Sequence, residues 1–285
     1  MSPSEHERSL LIVNADDFAL TEQVSRGIID AHRRGVVTST SVLALTPAFE
    51  SSVAMLRDVD SLGIGVHLAA VGEDPPLLSA REIPSMVDGR GRLWSSWKAF
   101  LPRAAAGRID PDDVRREFTA QFEAVAGAGL AIDHIDTHQN LHLWSLVREV
   151  VLDVGDAHGV RRVRVPRSRA RGPIGVTVRR LSRRLEARLV ERGWSAPAAS
   201  VGLDEAGTMG LGVMVGAVER LAADAAPSAE LATHPGLPGD PERARYRWGY
   251  RWDAEYEALC STTVRAAVTE AGFRLGTFAD LPGRV

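Results

Sequence analysis

The sequence predicts one α/β domain whose mainly parallel sheet closes into a barrel, and three observations lead there. Strand-like apolar runs alternate with amphipathic helix-like stretches along the whole chain, without an internal repeat, a low-complexity tract or a linker-like shift in composition. The polar residues Asp16, Asp17, His67, His134, Asp136, His138 and His234 fall at or just beyond the C-terminal ends of different strand-like runs, where α/β barrels gather their chemistry. The turn after the first run, Asn14-Ala15-Asp16-Asp17-Phe18, holds no glycine, which argues against the phosphate-binding turn of an open, doubly wound sheet. The length of 285 residues suits a barrel of roughly 200 to 250 residues with long loops. A single domain over 1–285, with its core at about 10–280, is expected.

Leu10-Leu11-Ile12-Val13 is a continuous apolar run of the kind found in buried parallel strands, and it delivers Asn14 to Asp17 at its end. Thr21 before Glu22, Gln23 and the apolar Val24, Ile28 and Ile29 predicts a capped helix closing at Gly35. Val36 to Leu43 alternates apolar and hydroxyl residues as a strand does, and Thr46-Pro47 is expected to cap and open a helix. A third strand spans Leu62 to Leu68, with His67 at its C-terminal end. The stretch from Ala69 to about Gly91 is rich in Pro, Gly and acids, too long for an ordinary connection and therefore a candidate active-site loop, with Trp94 and Trp97 at its edge. A helix from Asp110-Pro111 to about Ala128, a strand from Ala131 to Thr137, a helix from about Trp144 to Ala157 and a strand from Val160 to Val165 follow. Residues 161–192 hold twelve Arg against two Glu, with Val178, Leu181, Leu185 and Leu189 spaced as one helix stripe. That pattern turns the guanidinium groups outward as a solvated face, with an anion-binding surface as the alternative. A late strand ends at Thr233-His234, Leu237 to Tyr250 is a second long loop, Asp253 to Ala271 is the last helix and Arg274 to Phe278 a closing strand.

Composition narrows the chemistry. With 45% hydrophobic and 25% charged residues the chain is an ordinary globular sequence, not a disordered one. A net charge of −3 gives no support for nucleic-acid or membrane partners. No apolar stretch approaches the roughly 18 residues of a membrane span, and the N-terminal MSPSEHERSL lacks the apolar core of a secretory signal, so a cytoplasmic location is expected. Cys260 is the only cysteine, which excludes an internal disulfide framework and a thiolate-built zinc site. Any metal must be held by His and carboxylate. Two imidazoles and one carboxylate leave open positions on a divalent ion, as catalytic sites need when water and substrate must both coordinate. Asp16 and Asp17 are both candidates for the carboxylate, since neighbouring strand residues point in different directions.

Each residue alone has a plainer explanation. A strand-end Asp often caps the next helix, a lone histidine is commonly a hydrogen-bonded packing residue, and His134 and His142 fit packing or supporting roles as well as ligation. His6, His32 and His158 read as surface residues. Occurrence together at successive strand ends is what points to a site.

The motifs Leu11-Ile-Val-Asn-Ala-Asp-Asp-Phe18, Gly35-Val-Val-Thr-Ser-Thr40, Gly65-Val-His67-Leu68, His134-Ile-Asp-Thr-His138-Gln-Asn-Leu-His142 and Glu230-Leu-Ala-Thr-His-Pro-Gly236 stand in the order seen in the YdjC-like carbohydrate deacetylases, which include chitooligosaccharide and hopanoid-biosynthesis-associated deacetylases. The resemblance spans about residues 10 to 280. It implies a distorted (β/α), TIM-like barrel that removes the acetyl group from an N-acetylated amino sugar, oligosaccharide or glycoconjugate with one divalent ion, Mg²⁺ or Zn²⁺. By the same resemblance Asp17, His67 and His138 are the metal ligands, Asp16 the general base, and His234 the acid or oxyanion partner. The family commonly has a further histidine where this chain has Asn140, which puts substrate contacts there in question.

The implied reaction suits these residue types. A divalent ion polarises an amide carbonyl and lowers the pKa of bound water from about 15.7 toward roughly 7. Asp16 would take the water proton, each donor aimed at the oxyanion is worth roughly 3 to 4 kcal/mol, and an imidazole with a reference pKa near 6.5 suits protonation of the leaving amine. His142, Asn140, Trp94 and Trp97 are candidate substrate contacts, as are Trp248 and Trp252, since aromatic faces stack on sugars; core packing is the competing role for each Trp. The substrate is the expected partner, and a homodimer stays open. Two other classes also stay open: a metal-dependent amide or ester hydrolase acting on a non-sugar substrate, and a non-catalytic sugar-binding relative.

Overall fold

The computed structural model describes residues 9–283; His6 lies outside them. The frame is a curled sheet of β1 (Leu10–Phe18), β2 (Ser39–Val42), β3 (Gly63–Leu68), β4 (Ile132–Thr137), β5 (Ala199–Val201), β6 (Ser228–Thr233) and β7 (Arg274–Leu275). Its order is β4-β3-β2-β1-β6-β5, every pairing is parallel, and β7 joins the start of β1. Beyond β4 the ring continues through single bridges, Ile135 to Val163 and Arg162 to Ser195, and four residues after Ser195 the chain enters β5. The sheet thus curls into a distorted barrel, and the strand expected at Val160–Val165 survives only as those bridges.

Period-two alternation decides what faces each way. Leu11, Val13 and Ala15 of β1 join the main core beneath the helices, whereas Leu10 and Ile12 form a separate small cluster with Phe278 and Leu281 that plugs the barrel's opening end. Continuing the inward row brings Asn14 and then Asp16 toward the other end, so apolar plug and polar site are successive positions on one strand. His134 belongs to the plug: its ring stacks on Phe278, with centroids 3.8 Å apart.

The helices are α1 (Glu22–Arg34), α2 (Phe49–Ala54), α3 (Trp97–Ala105), α4 (Pro111–Gly127), α5 (Ser145–His158), α6 (Pro173–Arg192), α7 (Leu211–Ala223), α8 (Trp252–Leu259) and α9 (Thr262–Glu270). Thr21 caps α1 as expected, its hydroxyl accepting the Val24 N–H. Thr46 caps nothing, because its hydroxyl donates to the Ala19 carbonyl, and α2 starts only at Phe49. The single helix expected at Asp253–Ala271 is two, since Ser261 breaks it by capping α9. β5, α3 and α7 were not anticipated.

Most arginines of 161–192 do lie outside, in ion pairs such as Arg188 with Glu149 and Arg192 with Asp156. Arg164 is the exception and is buried. His32 and His158 are half-buried, each ring facing a backbone carbonyl. Among the described residues no helix is long and apolar enough to cross a membrane.

Candidate active site

The site begins with a kink in β1. Its register with β2 shifts between Ala15 and Phe18, and Asp17 takes a φ of 65°, a left-handed conformation that costs a non-glycine residue about 1–3 kcal/mol. Such a bulge re-aims side chains, and here it sends neighbouring aspartates to different partners. Asp17 turns toward His67, at the end of β3, and His138, the first residue after β4. Gln139 and Asn140 follow in left-handed conformation (φ 55° and 54°), turning the chain away immediately after the histidine.

One oxygen and two nitrogens converge. Asp17 Oδ1 lies 3.4 Å from His67 Nε2 and 3.4 Å from His138 Nδ1, and all three atoms are within 4.8 Å of one another. Asp17 Oδ1 is buried and has no hydrogen-bond partner among the described residues. Donors about 2.1 Å from one ion stand roughly 3.4 Å apart at a tetrahedral angle, so this donor set fits a divalent cation. His67 Nδ1 is taken by Asp136 Oδ1 at 2.7 Å, which leaves Nε2 free for ligation, the carboxylate-histidine arrangement of many metal sites. Burial opposes the charge on Asp17, but the pull of the His138 imidazole, reinforced by His67 and His234, brings its pKa down to about 2. Burial also opposes protonation of His67, and the charge and hydrogen bond of Asp136, with Asp17 and Asp16, overcome it and push the imidazole up to about 9. The pocket is built to collect positive charge.

Asp16, His67 and Asp136 also lie close enough together to share an ion, but Arg164 supplies the cation there. Its Nη1 and Nη2 reach Asp16 at 2.6 and 2.5 Å, Nη1 reaches Asp136 at 3.0 Å, and Nε donates to Glu230 at 2.6 Å. Asn14 adds a hydrogen bond to Asp16 at 2.8 Å. On the far side of Asp16, His234 Nε2 stands 3.7 Å away. Asp16, Asp17, His67, His138, Arg164, Glu230 and His234 line a cavity of about 520 Å³ together with Trp97, Lys98, Asn140, Arg247, Trp248 and Tyr250. Trp248 packs on His138 and Tyr250 lies edge-on to His234. A second, mostly apolar groove of about 620 Å³ adjoins it, sharing Trp97, Gln139, Asn140 and Leu203.

Asp16, Asp17, His67, His138 and His234 are therefore brought to one cavity, and Trp97, Asn140 and Trp248 line it. Three expected substrate contacts do not. His142 is buried with Nδ1 on Thr137 and Nε2 on the Arg164 carbonyl, so it supports the turn after β4. Trp94 lies outside the cavity lining and sits under the Arg103 guanidinium, and Trp252 is buried in the core. Arg164, Glu230, Tyr250 and Glu255 had not been singled out.

Residues 10–270 match the family described as YdjC-like protein. The chain belongs to the YdjC-like family. This YdjC-like chain is 27% identical to the chitooligosaccharide deacetylase of Proteus mirabilis over 95% of its own length and 98% of that protein, and 30% identical to the chitooligosaccharide deacetylase of an Enterobacter species over 95% and 99%. It is 33% identical to the carbohydrate deacetylase of Brevibacillus brevis over 53% of this chain, a match that spans 57% of that relative. Among solved structures, a protein of Enterococcus faecalis V583 superposes with a TM-score of 0.79 at 26% identity, covering 95% of this YdjC-like chain and 98% of that one.

Proposed function

We propose that this YdjC-like protein is a metal-dependent hydrolase that removes the N-acetyl group from an amino sugar, an oligosaccharide or a glycoconjugate. The observation that carries this reading is the buried, unpartnered Asp17 Oδ1 facing a free nitrogen on each of His67 and His138. The full-length likeness to chitooligosaccharide deacetylases supports the substrate class. Asp17, His67 and His138 would hold the ion, Mg²⁺ or Zn²⁺, which when bound supplies Lewis-acid polarisation of the carbonyl and a more acidic water.

The chain's own groups supply the rest. Asp16 accepts the water proton, and Arg164 orients its carboxylate with a two-point grip that a single point charge could not match. His234, whose Nε2 stands 3.7 Å from Asp16, gives a proton to the departing amine. Trp248 and Tyr250 offer aromatic faces to the sugar, and the adjoining apolar groove has room for a substituent beyond the acetylated ring.

Acetate release from N-acetylglucosamine oligomers and N-acetylglucosaminyl conjugates, compared with simple acyl esters and repeated with each metal, tests the reading. Release from the sugars that disappears in Asp16→Asn, with metal content unchanged, is expected. Turnover of esters alone would overturn the amide assignment, and unchanged turnover in Asp16→Asn would remove the general base.

A further inference from the structure

Glu255 is a carboxylate in the wrong place for an ordinary helix residue. It lies in the first turn of α8 and is buried. Isolated buried charges are costly, so a retained one needs partners. Two of them are backbone groups: Oε2 accepts the N–H of His234 at 2.7 Å and Oε1 accepts that of Met209 at 3.3 Å. The carboxylate therefore ties the residue just beyond β6 to the loop preceding α7.

The third neighbour is the His234 ring. Among the described residues its buried Nδ1 has no hydrogen-bond partner, and the nearest acceptor of opposite charge is Glu255 Oε2 at 4.0 Å. Nε2, at the other end of the ring, points to Asp16 Oδ2 and the cavity. Tyr250 stands edge-on with centroids 4.8 Å apart. The imidazole is thus strung between two carboxylates, one inside the cavity and one behind it.

We propose that Glu255 is the positioning residue for His234, holding the ring from behind so that Nδ1 carries its proton toward Oε2 and Nε2 faces the substrate. This rests on the role given to His234 above. Each end of the ring faces a carboxylate, but Arg164 neutralises Asp16 whereas Glu255 holds backbone amides, so Glu255 selects hydrogen on Nδ1 and stabilises the cation formed when Nε2 takes up a proton. Nε2 is then the atom that exchanges a proton with the amine. Among the described residues Glu255 is the carboxylate within 4.0 Å of Nδ1, whereas Asp16 lies on the side of Nε2.

A purely structural Glu255 would clamp the two backbone amides and leave the ring indifferent. Glu255→Gln removes the charge and keeps one of the two backbone N–H bonds, since the amide has a single acceptor oxygen, so urea unfolding read beside kcat separates the lost clamp from the lost charge. Expected are unchanged metal content, kcat lowered about 10²-fold, within the range for a general acid, and KM altered little. Glu255→Asp, which keeps the charge, should recover part of kcat. Equal kcat losses in the Gln and Asp variants, or a full kcat in Glu255→Gln, would overturn the proposal.

A measurement without any variant covers the case in which Glu255→Gln does not fold. The ¹⁵N spectrum of the His234 imidazole in the wild-type protein, assigned by its loss in His234→Gln, should show hydrogen on Nδ1 in the neutral ring. Hydrogen on Nε2 would overturn the proposal. Since the spectrum needs no turnover, failure of the deacetylase reading and failure of this one are distinguishable.

Discussion

Arg164 grips Asp16 with both terminal nitrogens, Nη1 to Oδ2 at 2.6 Å and Nη2 to Oδ1 at 2.5 Å. The same guanidinium reaches Glu230 and Asp136, so one cation serves three buried carboxylates. Replacing Arg164 by Met leaves all three without that partner, and stripping one side of a buried ion pair costs about 3–5 kcal/mol. Urea unfolding of Arg164→Met should show a loss of that size, and Arg164→Lys should restore only part of it, since an ammonium cannot reproduce the fork. A Met variant as stable as wild type would mean the network is not needed to hold the barrel interior.

Asp136 acts on the proposed metal site through His67. With Nδ1 bonded to Asp136 at 2.7 Å the ring cannot flip, and removing such a supporting bond typically costs 10- to 100-fold in metal affinity. Calorimetric titration of Zn²⁺ into Asp136→Asn should show that loss with one ion still bound at saturation. Asp17→Ala, His67→Ala and His138→Ala should instead lower metal content as purified, read by elemental analysis. Stoichiometric metal in all three would remove the ligand assignment.

The residues that end strands were legible from the chain, because a polar side chain following an apolar run has few other places to go. Asp16, Asp17, His67, His138 and His234 are of that kind. Arg164 was hidden by company: twelve arginines in 32 residues read as a solvated face. The local signal was Val163-Arg164-Val165, where both valines are buried and alternation turns the arginine to the opposite face, into the barrel. Glu230 between Ala229 and Leu231 carries the same signature. Glu255 looks like any first-turn acid of a helix, and only the fold reveals that His234 lies against it. Trp94 and His142 lie elsewhere than expected because proximity in sequence to a loop or to a candidate ligand says nothing about which way a side chain turns.

Gly65 shows how closely the plug is packed. A Cβ there would lie 2.2 Å from His134 Nε2 and 2.3 Å from Cε1. The ring has no room to retreat, since it stacks on Phe278 and its Nδ1 faces Asp133 Oδ1 at 2.5 Å. Gly65→Ala should destabilise the fold by about 1–3 kcal/mol, the usual cost of overpacking. In a His134→Ala background the same change should cost much less, because the clashing ring is gone. Equal costs in both backgrounds, by urea unfolding, would place the strain elsewhere.

His142 gives the fold a pH dependence of predictable sign. Burial, aided by the charges of Arg164 and His67 against the pull of Asp136, drives its pKa from 6.5 down to about 4. The unfolded chain therefore binds more protons than the native one between those values, so stability rises with pH across the window. This contribution is full above pH 6.5 and is lost as pH falls toward 4; at 1.36 kcal/mol per unit it amounts to about 3 kcal/mol at most. His142→Gln keeps a polar side chain but cannot titrate. Its stability deficit relative to wild type should be largest at pH 7 and shrink steadily as the pH is lowered to 4, because only the wild type pays for keeping an imidazole neutral. Measuring both proteins without metal lets the shared titration of His67 cancel in the difference. Parallel stability curves from pH 7 to 4 would show that His142 is not held neutral by the fold.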